Sequence, residues 1–419
     1  MSGESVPKPF EWLSGGLFFG KGKGGIQSVD SCKDVLQLLN GIDESLTAIL
    51  NEPEKETENT TSEADDSKAN EMLSPSKFLE ARLNRVRVLL YDERRVTSQH
   101  ENRWSSAAVA GATMQALRGE SLQHLMPKLI EFLPRLTFES RKHVASVFNY
   151  LLVCGFEGSD RDLYTATMTA FRDYVAANFD SILTHVVKGY DCSTHGTTDV
   201  GLHSGSMYRS CLKHVILYRE LVGTTERVEK YVLPLLDTYV HVPNFDISSC
   251  AMESLKLVFT AGSDASFIGD ETAQRQMAEL AAAFLTRDYE IIWDERFNPK
   301  LMSDQANYMT KRVALQILST VLLTRSNYAI MIKYVNSRKN LILVMHLLRD
   351  TSPHITLDAF HVFKVFVANP NKIPEVTKIL KDNSPKLCAY LETLHQDKEA
   401  SDTQFRDEKA LIIQTLRAL

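Results

Sequence analysis

Four side chains that could bind a transition metal lie close together near the middle of the chain. They are Cys192, His195, His203 and Cys211, two thiols and two imidazoles within about twenty residues. Zinc prefers thiolate and imidazole ligands, but this spacing matches none of the familiar structural zinc sites. We expect Cys211 to lie in a helix with Met207 and to face the core. The sequence therefore predicts no metal site here.

A glycine-rich stretch near the start of the sequence is similar to a phosphate-binding loop. Residues 15–22 read Gly-Gly-Leu-Phe-Phe-Gly-Lys-Gly, close to the pattern Gly-x4-Gly-Lys-Ser/Thr. Such a loop needs a hydroxyl after the lysine to hold magnesium, a buried strand before it and a helix after it. Gly22 stands at the hydroxyl position, and residues 7–14 make no credible strand. We therefore expect neither a nucleotide nor any other cofactor.

Short catalytic motifs are missing from the sequence. It holds no Gly-x-Ser-x-Gly elbow, no His-Glu-x-x-His pair and no kinase signature set. His361 stands alone among phenylalanines, where a hydrogen-bonded structural histidine is expected rather than a base or a ligand. We predict a protein without catalytic residues. The alternative of an enzyme stays open, because triads assemble from distant positions of a chain.

Composition and charge narrow the class of function further. The 419 residues carry a net charge of −6 and an isoelectric point near 6.1, which argues against a general nucleic-acid binder. No stretch of about 18 apolar residues occurs, so no membrane span is expected. The first residues are polar and show no secretory signal, and the six cysteines are scattered. We interpret the cysteines as reduced packing residues of a cytoplasmic protein.

Any binding residues must be positioned by helices, and the clearest helix lies within residues 359–372. Its two apolar stripes are Phe360, Phe363, Phe366 and Val367 on one face and Val362 and Val365 on another. A helix that is apolar on more than one face needs neighbours on more than one side, as an inner helix of a helical repeat has. Asn369 and Pro370 are expected to end it, because proline has no amide hydrogen.

Helical patterns follow one another along most of the sequence, beginning with a first helix over about residues 29–50. The helices are short, and groups of them recur roughly every 40 residues, the length of HEAT and armadillo repeats. Ser352-Pro353 and Ser384-Pro385 each place a capping hydroxyl before a proline at a helix start. We predict an all-α, armadillo/HEAT-like helical-repeat solenoid over residues 28–419. A globular helical bundle is the alternative.

Several stretches are expected to interrupt this pattern. Residues 1–27 are glycine-rich and are predicted to form a flexible N-terminal segment. Residues 51–76 hold eight acidic residues and few large apolar groups, which predicts a disordered acidic insertion because too little surface can be buried. Polar, glycine-containing stretches at 190–206, 223–226 and 261–271 are predicted loops.

Aromatic and arginine residues stand near helix starts in the later part of the chain. They are Phe245, Tyr308, Arg312, Arg325 and Tyr328. These residue types dominate protein interfaces, and in stacked helices equivalent positions line up along one face. The alternative is that the aromatic rings belong to the core and the arginines are merely solvated.

At these positions the sequence resembles the mouse protein 25 family, also called calcium-binding protein 39. The resemblance is strong over about residues 305–419 and diffuse before them. It is carried by Asn307–Arg312, Arg325–Tyr334, Asn340–Asp350, Ala359–Lys372 and Gln404–Lys409, and upstream by Phe245–Ile247. It implies a horseshoe of armadillo-like repeats without catalytic activity, which binds and activates protein kinases of the sterile-twenty (germinal-centre) group or joins a related pseudokinase.

The resemblance also implies two contact regions. A concave face that holds the regulatory helix of the kinase in its active position would be lined by Phe245, Tyr308, Arg312, Arg325 and Tyr328. A separate pocket would take a short Trp-Glu-Phe-like C-terminal peptide of the partner, with Met345 in contact with it. Ile342 stands where the family has a lysine, which puts attraction for the acid of that peptide in doubt. Tyr328 replaces a phenylalanine.

The leading hypothesis is therefore a non-catalytic scaffold that allosterically activates a sterile-twenty-type kinase. No EF-hand loop is present, so we predict no calcium site despite the older family name. The alternative is an armadillo-type adaptor for cargo or cytoskeletal partners. Its nuclear-import version would need a ladder of tryptophans and asparagines at repeat spacing, and the chain has only three tryptophans, which argues against that version.

Overall fold

The computed structural model describes residues 35–52, 74–91, 106–153, 161–263, 268 and 270–419. Every regular element within these residues is helical, which confirms the predicted all-α class. Their helices include none that is long and apolar enough to cross a membrane. The predictions for residues 1–27, for the glycine-rich loop and for all but the two ends of the acidic insertion lie outside the described residues, as do Cys32 and Cys154.

The α-helices are α1 Val35–Asn51, α2 Pro75–Tyr91, α3 Ser106–Arg118, α4 Leu125–Glu131, α5 Phe138–Val153, α6 Arg161–Ala177, α7 Phe179–Lys188, α8 Cys192–His195, α9 Thr198–Cys211, α10 Val215–Val222, α11 Thr225–Tyr231, α12 Leu233–Asp237, α13 Phe245–Phe259, α14 Glu271–Arg287, α15 Tyr308–Leu323, α16 Tyr328–Val335, α17 Arg338–Leu347, α18 Pro353–Ala368, α19 Pro374–Thr393, α20 Gln396–Ser401 and α21 Thr403–Arg417. Short 3-10 helices cover Leu133–Arg135, Tyr239–His241 and Arg325–Asn327, and a π-helix covers Glu290–Leu301.

The chain divides into two compact units between Leu217 and Tyr218. In the first unit α2, α5 and α9 form a row in which each helix packs against the next. Thr137, just before α5, donates a hydrogen bond to Glu80 of α2, and Tyr91 at the end of α2 donates to the Ser146 carbonyl. These contacts advance together along both helices, so α2 and α5 run parallel.

The second unit contains a row of four helices, α13, α15, α18 and α21, again packed in sequence. Arg312 on α15 lies opposite Asp358 on α18, and Lys364 on α18 donates to Glu408 on α21 at 2.6 Å. Phe360 packs edge-on against Phe405 between the last two helices. Sequential packing of neighbouring parallel helices is the arrangement of an armadillo-like helical repeat. The single continuous repeat domain predicted over residues 28–419 stays a prediction.

Helix α18 is the inner helix that its two apolar stripes predict. Phe360, Phe363 and Phe366 have no accessible surface. The helix packs against α15, α17 and α21, so it has neighbours on several sides. It ends at Ala368, with Asn369 as the capping residue before Pro370. Periodicity was sufficient here because every residue of the two stripes is buried except Val365, which is half-buried.

The predicted loop over residues 190–206 is wrong, because this stretch is largely helical in α8 and α9. Asp191 caps α8 by accepting a hydrogen bond from the Ser193 amide at 3.1 Å. The small residues serve close packing rather than a turn: a Cβ added to Gly189 would lie 2.0 Å from the Ser204 Oγ. Only Gly196, at φ 66°, requires the left-handed conformation that favours glycine. Of the other two predicted loops, residues 223–224 and 261–263 separate helices as expected, whereas Thr225, Glu226 and Glu271 already belong to the helices that follow.

The predicted helix start at Ser384-Pro385 is also wrong, since Pro385 lies inside α19. Ser384 donates to the Leu416 carbonyl at 2.7 Å instead of capping a helix. Packing of α19 against α21 outweighs the loss of one backbone hydrogen bond at the proline. The start at Pro353 is confirmed, although the Ser352 side chain makes no capping bond.

Candidate functional site

Two helices of the second unit begin with exposed aromatic residues that face one cavity. Asn244 caps α13 by accepting a hydrogen bond from the Ile247 amide at 3.2 Å, and Phe245 follows as the first helical residue. Asn307 caps α15 in the same way, accepting from the Thr310 amide at 2.9 Å before Tyr308. The asparagine caps fix where each helix begins. They thereby place both rings at the amino-terminal ends of two neighbouring parallel helices.

The cavity between α13 and α15 has a volume of about 640 Å³. Its apolar lining comes from Val240, Val242, Pro243, Phe245, Met252, Tyr308, Met309 and Val313. Phe245 is 63% exposed, Tyr308 40% and Met309 45%. Large apolar side chains grouped around an open cavity mark a surface that binds a partner. We refer to the cavity and these three exposed residues as the aromatic cavity.

A few polar groups also line the aromatic cavity. Glu253 and Lys256 stand on α13 and Gln316 on α15, so the lining carries one opposite pair of charges. Burial lowers the pKa of His241, while its hydrogen bond to the Leu236 carbonyl acts in the opposite direction. This histidine is therefore held neutral at physiological pH. The lining thus offers mostly apolar contact with few charges.

Arg312 lies one turn beyond Tyr308 and is fixed between two partners. Its Nη1 donates to the Tyr308 hydroxyl at 3.4 Å, and its Nε lies 3.4 Å from Asp358 Oδ2 on α18. The Nε hydrogen is buried but makes no hydrogen bond at this geometry. Gln316 also approaches Asp358, at 3.5 Å. The Arg312 side chain is 36% exposed, so it can still reach a partner although these contacts hold it in place.

Arg325 and Tyr328, the other two residues of the predicted kinase-binding face, lie at the opposite end of α15. The helix has 16 residues and therefore spans about 24 Å. Arg325 opens the 3-10 turn after α15 and is exposed; Tyr328 opens α16 and is 61% exposed. Neither lines the aromatic cavity. The structure thus brings three of the predicted residues together and leaves two apart.

Ile342 and Met345 of the predicted peptide pocket lie one turn apart on α17, both half-buried. Neither lines the aromatic cavity. Helix α17 is anchored by a buried network in which Asn298 donates to Asn340 at 3.1 Å and Asn340 donates to the Tyr334 carbonyl at 3.1 Å. This buried network holds α17 in place, so Ile342 and Met345 lie on a rigid helix.

The metal-type residues of the first unit behave as packing residues where they are described. Cys211 is buried at the end of α9, and burial raises the pKa of its thiol to about 12. Burial lowers the pKa of His203. A protonated thiol is a poor ligand and a poor nucleophile. His361 is half-buried against Phe360, and burial lowers the pKa of its imidazole too.

Sequence reasoning missed residues that complete the aromatic cavity. Met309 was not predicted as a binding residue, although its position beside Tyr308 at a helix start could have indicated it. Met252 lies two turns into α13, where the sequence shows only an ordinary apolar residue. Asp358 orients Arg312 from another helix. No local sequence pattern connects Arg312 with Asp358, because their contact depends on the packing of α15 against α18.

Comparison with known proteins gives a consistent family assignment. A family model described as Mo25-like matches residues 30–419. The human protein named calcium-binding protein 39-like is 34% identical over 295 residues, covering 70% of this chain and 76% of that protein. The degreening-related gene dee76 protein of Auxenochlorella protothecoides is 35% identical over 297 residues, covering 70% and 78%. The Mo25-like protein of Schizosaccharomyces pombe is 32% identical over 291 residues, covering 70% and 76%. On this evidence the chain belongs to the Mo25-like family.

Proposed function

We propose that this protein is a non-catalytic scaffold that binds and allosterically activates a protein kinase of the sterile-twenty (germinal-centre) group, or engages a related pseudokinase, in the cytoplasm. Membership of the Mo25-like family supports this reading. The single observation that carries it is the aromatic cavity, where Phe245, Tyr308 and Met309 remain exposed beside a fixed arginine. Exposed aromatic rings are costly to keep in water unless a partner covers them.

The aromatic cavity suits an apolar anchor from a helix of the kinase. Its volume of about 640 Å³ lies in the range of sites that enclose a bound group, roughly 300–1,000 Å³. Aromatic rings around a cavity, with an arginine close by, are the composition of an interface hot spot. Arg312 would meet a carboxylate or a carbonyl at the edge of the anchor, since Asp358 already holds the guanidinium in position.

Activation follows if the scaffold binds the kinase only when its regulatory helix is docked. In the active arrangement the strand lysine pairs with the glutamate of that helix. A partner that binds this arrangement preferentially shifts the population toward it. Reversing a ratio of active to inactive kinase of about one to a hundred requires that the scaffold bind the active state about 5.5 kcal/mol more tightly than the inactive one. Three anchors at about 2 kcal/mol each would supply that amount.

Two further contacts would strengthen the complex. Arg325 and Tyr328 form a second exposed pair at the far end of α15 and would touch a different part of the same kinase. On α17, Met345 and Ile342 would take a Trp-Glu-Phe-like C-terminal peptide. With isoleucine in place of a lysine, this peptide would be held by apolar contact rather than by charge. Tethered contacts raise affinity because the second binding event becomes intramolecular.

The test is a kinase assay with the purified chain and kinase domains of the sterile-twenty group. Arg312→Ala and Arg325→Ala should each lower stimulation strongly and leave folding intact, because both side chains reach solvent and partly exposed ion pairs contribute little to stability. Arg406→Ala is the matched control, since Arg406 is also exposed and its one ion pair among the described residues is with its neighbour Asp407.

Full stimulation by both variants would refute the assigned face. If the unchanged chain binds kinases without changing their turnover, the alternative of an adaptor for cargo or cytoskeletal partners is the better reading. Turnover of any substrate by the chain alone would contradict the non-catalytic assignment.

A further inference from the structure

A second cavity, of very different character, lies in the first unit between α2 and α5. Its volume is about 470 Å³. It is lined by Lys77, Glu80, Ala81, Asn84, Arg87, Glu139, Lys142 and His143. Seven of these eight side chains are polar or charged, whereas the aromatic cavity is mostly apolar. We refer to it as the polar cleft.

His143 lines the polar cleft with an unsatisfied nitrogen. The residue is only 5% exposed, and its Nδ1 makes no hydrogen bond. Its Nε2 lies 4.0 Å from Glu139 Oε2, too far for a hydrogen bond. Buried polar atoms are nearly always paired, so an orphaned imidazole nitrogen beside a cavity needs an explanation. The Nδ1 is enclosed by protein, so a ligand in the cleft would meet the other ring nitrogen, Nε2, which also has no partner within hydrogen-bond distance among the described residues.

Arg87 has spare hydrogen-bonding capacity at the same place. Its Nε and Nη2 both donate to the Asn84 side-chain oxygen, at 3.3 and 2.9 Å, which leaves Nη1 available. Within the described part of the chain no carboxylate forms an ion pair with it. The Asn84 contact orients the guanidinium without neutralising its charge. An oriented, uncompensated arginine is typical of an anion-binding site.

The two lysines of the polar cleft are held only weakly. Lys77 lies 4.0 Å from Glu80, and Lys142 lies 3.4 Å from Glu139, with both lysine side chains 52% exposed. Exposed pairs of this kind contribute little to stability, so either lysine can turn toward a stronger anion. Glu80 is additionally occupied by the Thr137 hydroxyl at 2.8 Å. The cations outnumber the carboxylates in the lining.

We propose that the polar cleft binds a phosphomonoester, with Arg87, Lys77 and Lys142 donating to its oxygens and His143 completing the set of donors. A phosphoryl group offers three oxygens to three cationic side chains, whereas a carboxylate offers two. Arginine forks and lysine point charges are both common phosphate ligands. The proposal does not rest on kinase activation, because the aromatic cavity contributes no residue to the polar cleft.

Binding of a dianion would change the protonation of His143. Burial lowers the pKa of this imidazole, followed by Arg87 and then Lys142, while Glu139 and Glu80 act in the opposite direction. A phosphate in the cleft adds a nearby negative charge, which favours the imidazolium. Affinity should therefore rise as the pH falls from 7.5 to about 6.5, a range in which a phosphate with a second pKa of about 6 stays largely dianionic. The proton signals of His143 should titrate at higher pH with ligand than without.

The experiment is calorimetric titration of the full chain with three probes. They are the pentapeptide Gly-Gly-phosphoserine-Gly-Gly, its unphosphorylated form and inorganic phosphate. Arg87→Gln and Lys142→Gln should each weaken binding of the phosphopeptide by about tenfold, because each removes one charge-assisted contact. Arg118→Gln is the matched control, since Arg118 is exposed at the end of α3 and lies outside the cleft. Circular dichroism confirms folding of each variant.

Tighter binding of the phosphopeptide than of phosphate would support the proposal and identify a phosphorylated polypeptide as the source of the ligand. Equal binding of both would support it with free phosphate as sufficient ligand. The proposal is overturned if neither phosphorylated probe binds. It is equally overturned if the unphosphorylated peptide binds as well, or if both cleft variants keep the affinity of the unchanged chain.

Discussion

Phe245 offers the sharpest test of the aromatic cavity, because its ring contributes much to a partner and little to the fold. We predict that Phe245→Ala leaves the protein folded and weakens kinase binding severely. The residue is 63% exposed at the start of α13. The helix cap at Asn244 does not depend on the ring, since it uses the Ile247 amide. The substitution should therefore not shift the beginning of the helix.

The size of the effect follows from the exposed area. An aromatic side chain buries about 200 Å² when it is fully covered. With 63% of it exposed, a partner can remove about 125 Å² from water, which corresponds to about 3 kcal/mol. That free energy is equivalent to roughly 150-fold in Kd. The smaller covered fraction limits the loss of folding stability to at most about 2 kcal/mol.

Surface plasmon resonance against a sterile-twenty-type kinase domain would measure the change in Kd, and phosphate transfer would measure the change in stimulation. Leu411→Ala serves as the matched control, because Leu411 is 59% exposed on α21 and does not line the cavity. The reasoning fails if Phe245→Ala binds within threefold of the unchanged chain while Leu411→Ala behaves the same. A loss of binding by both variants would show that exposed apolar area alone, and not the cavity, drives association.

Two further predictions concern the first unit. Arg141→Met should lower the free energy of unfolding by about 2–3 kcal/mol, because the half-buried Asp199 carboxylate loses its charge-assisted hydrogen bonds. That ion pair is 2.9 Å long, and the buried guanidinium also donates to the Leu133 carbonyl at 3.0 Å. Burial lowers the pKa of His214 to about 4, partly opposed by the hydrogen bond to the Leu152 carbonyl. As the pH falls below about 6.5, His214 is protonated in the unfolded chain but still neutral in the folded protein, so stability is lost between about pH 6.5 and 4. Urea unfolding should give a free energy about 2 kcal/mol lower at pH 5 than at pH 7, and His214→Gln should remove that part of the difference.

Both stability predictions have clear contrary results. Replacement of the exposed Arg118 by methionine should change the free energy of unfolding by less than about 0.5 kcal/mol. An equal effect of the two arginine substitutions would contradict the buried ion pair. Other buried histidines also have lowered pKa values, so the comparison that matters is the pH dependence of His214→Gln against that of the unchanged chain. Identical curves would show that His214 titrates as it does in water.

Much of the helical architecture was predictable because it is written in local patterns. The two stripes of α18 and the asparagine before each exposed aromatic residue are read within a few positions of each other. The predicted helix starts at Phe245 and Tyr308 are confirmed, whereas Tyr328 was predicted only to lie at a turn. Such features depend on capping and periodicity, which act over one or two turns.

The misreadings arose where small or breaking residues serve tertiary packing. Ser204 is fully buried in α9, close to Gly189, and the two allow neighbouring helices to approach. Pro385 sits inside α19 because burial of Leu387 and Leu391 on the same helix favours continuation. In both stretches the composition is typical of a loop, and packing against neighbouring helices is what makes them helical.

The binding site was predictable only in part. Phe245, Tyr308 and Arg312 were singled out by residue type near helix starts, and their predicted role in binding came from the family resemblance. The sequence does not indicate that the first two share a cavity. The distance from Arg312 to Asp358 depends on how two helices of the row are aligned. The polar cleft was missed entirely, since its residues occur in an ordinary charged pattern on α2 and α5 and become unusual only through the burial of His143.

The parallel packing of α13, α15, α18 and α21 affects the electrostatic potential at one end of these helices. Peptide dipoles add along a helix, leaving about half a positive elementary charge at its amino end. Because α13, α15, α18 and α21 all point the same way, these partial charges accumulate along the edge that carries Phe245 and Tyr308. Asp246 in the first turn of α13 and Asp402, the cap of α21, offset this charge at two of the four ends, whereas the first turns of α15 and α18 hold no acidic residue. The positive end charge is therefore strongest at α15 and α18. Encounter with an acidic partner should then be fast in dilute buffer and slow in concentrated salt.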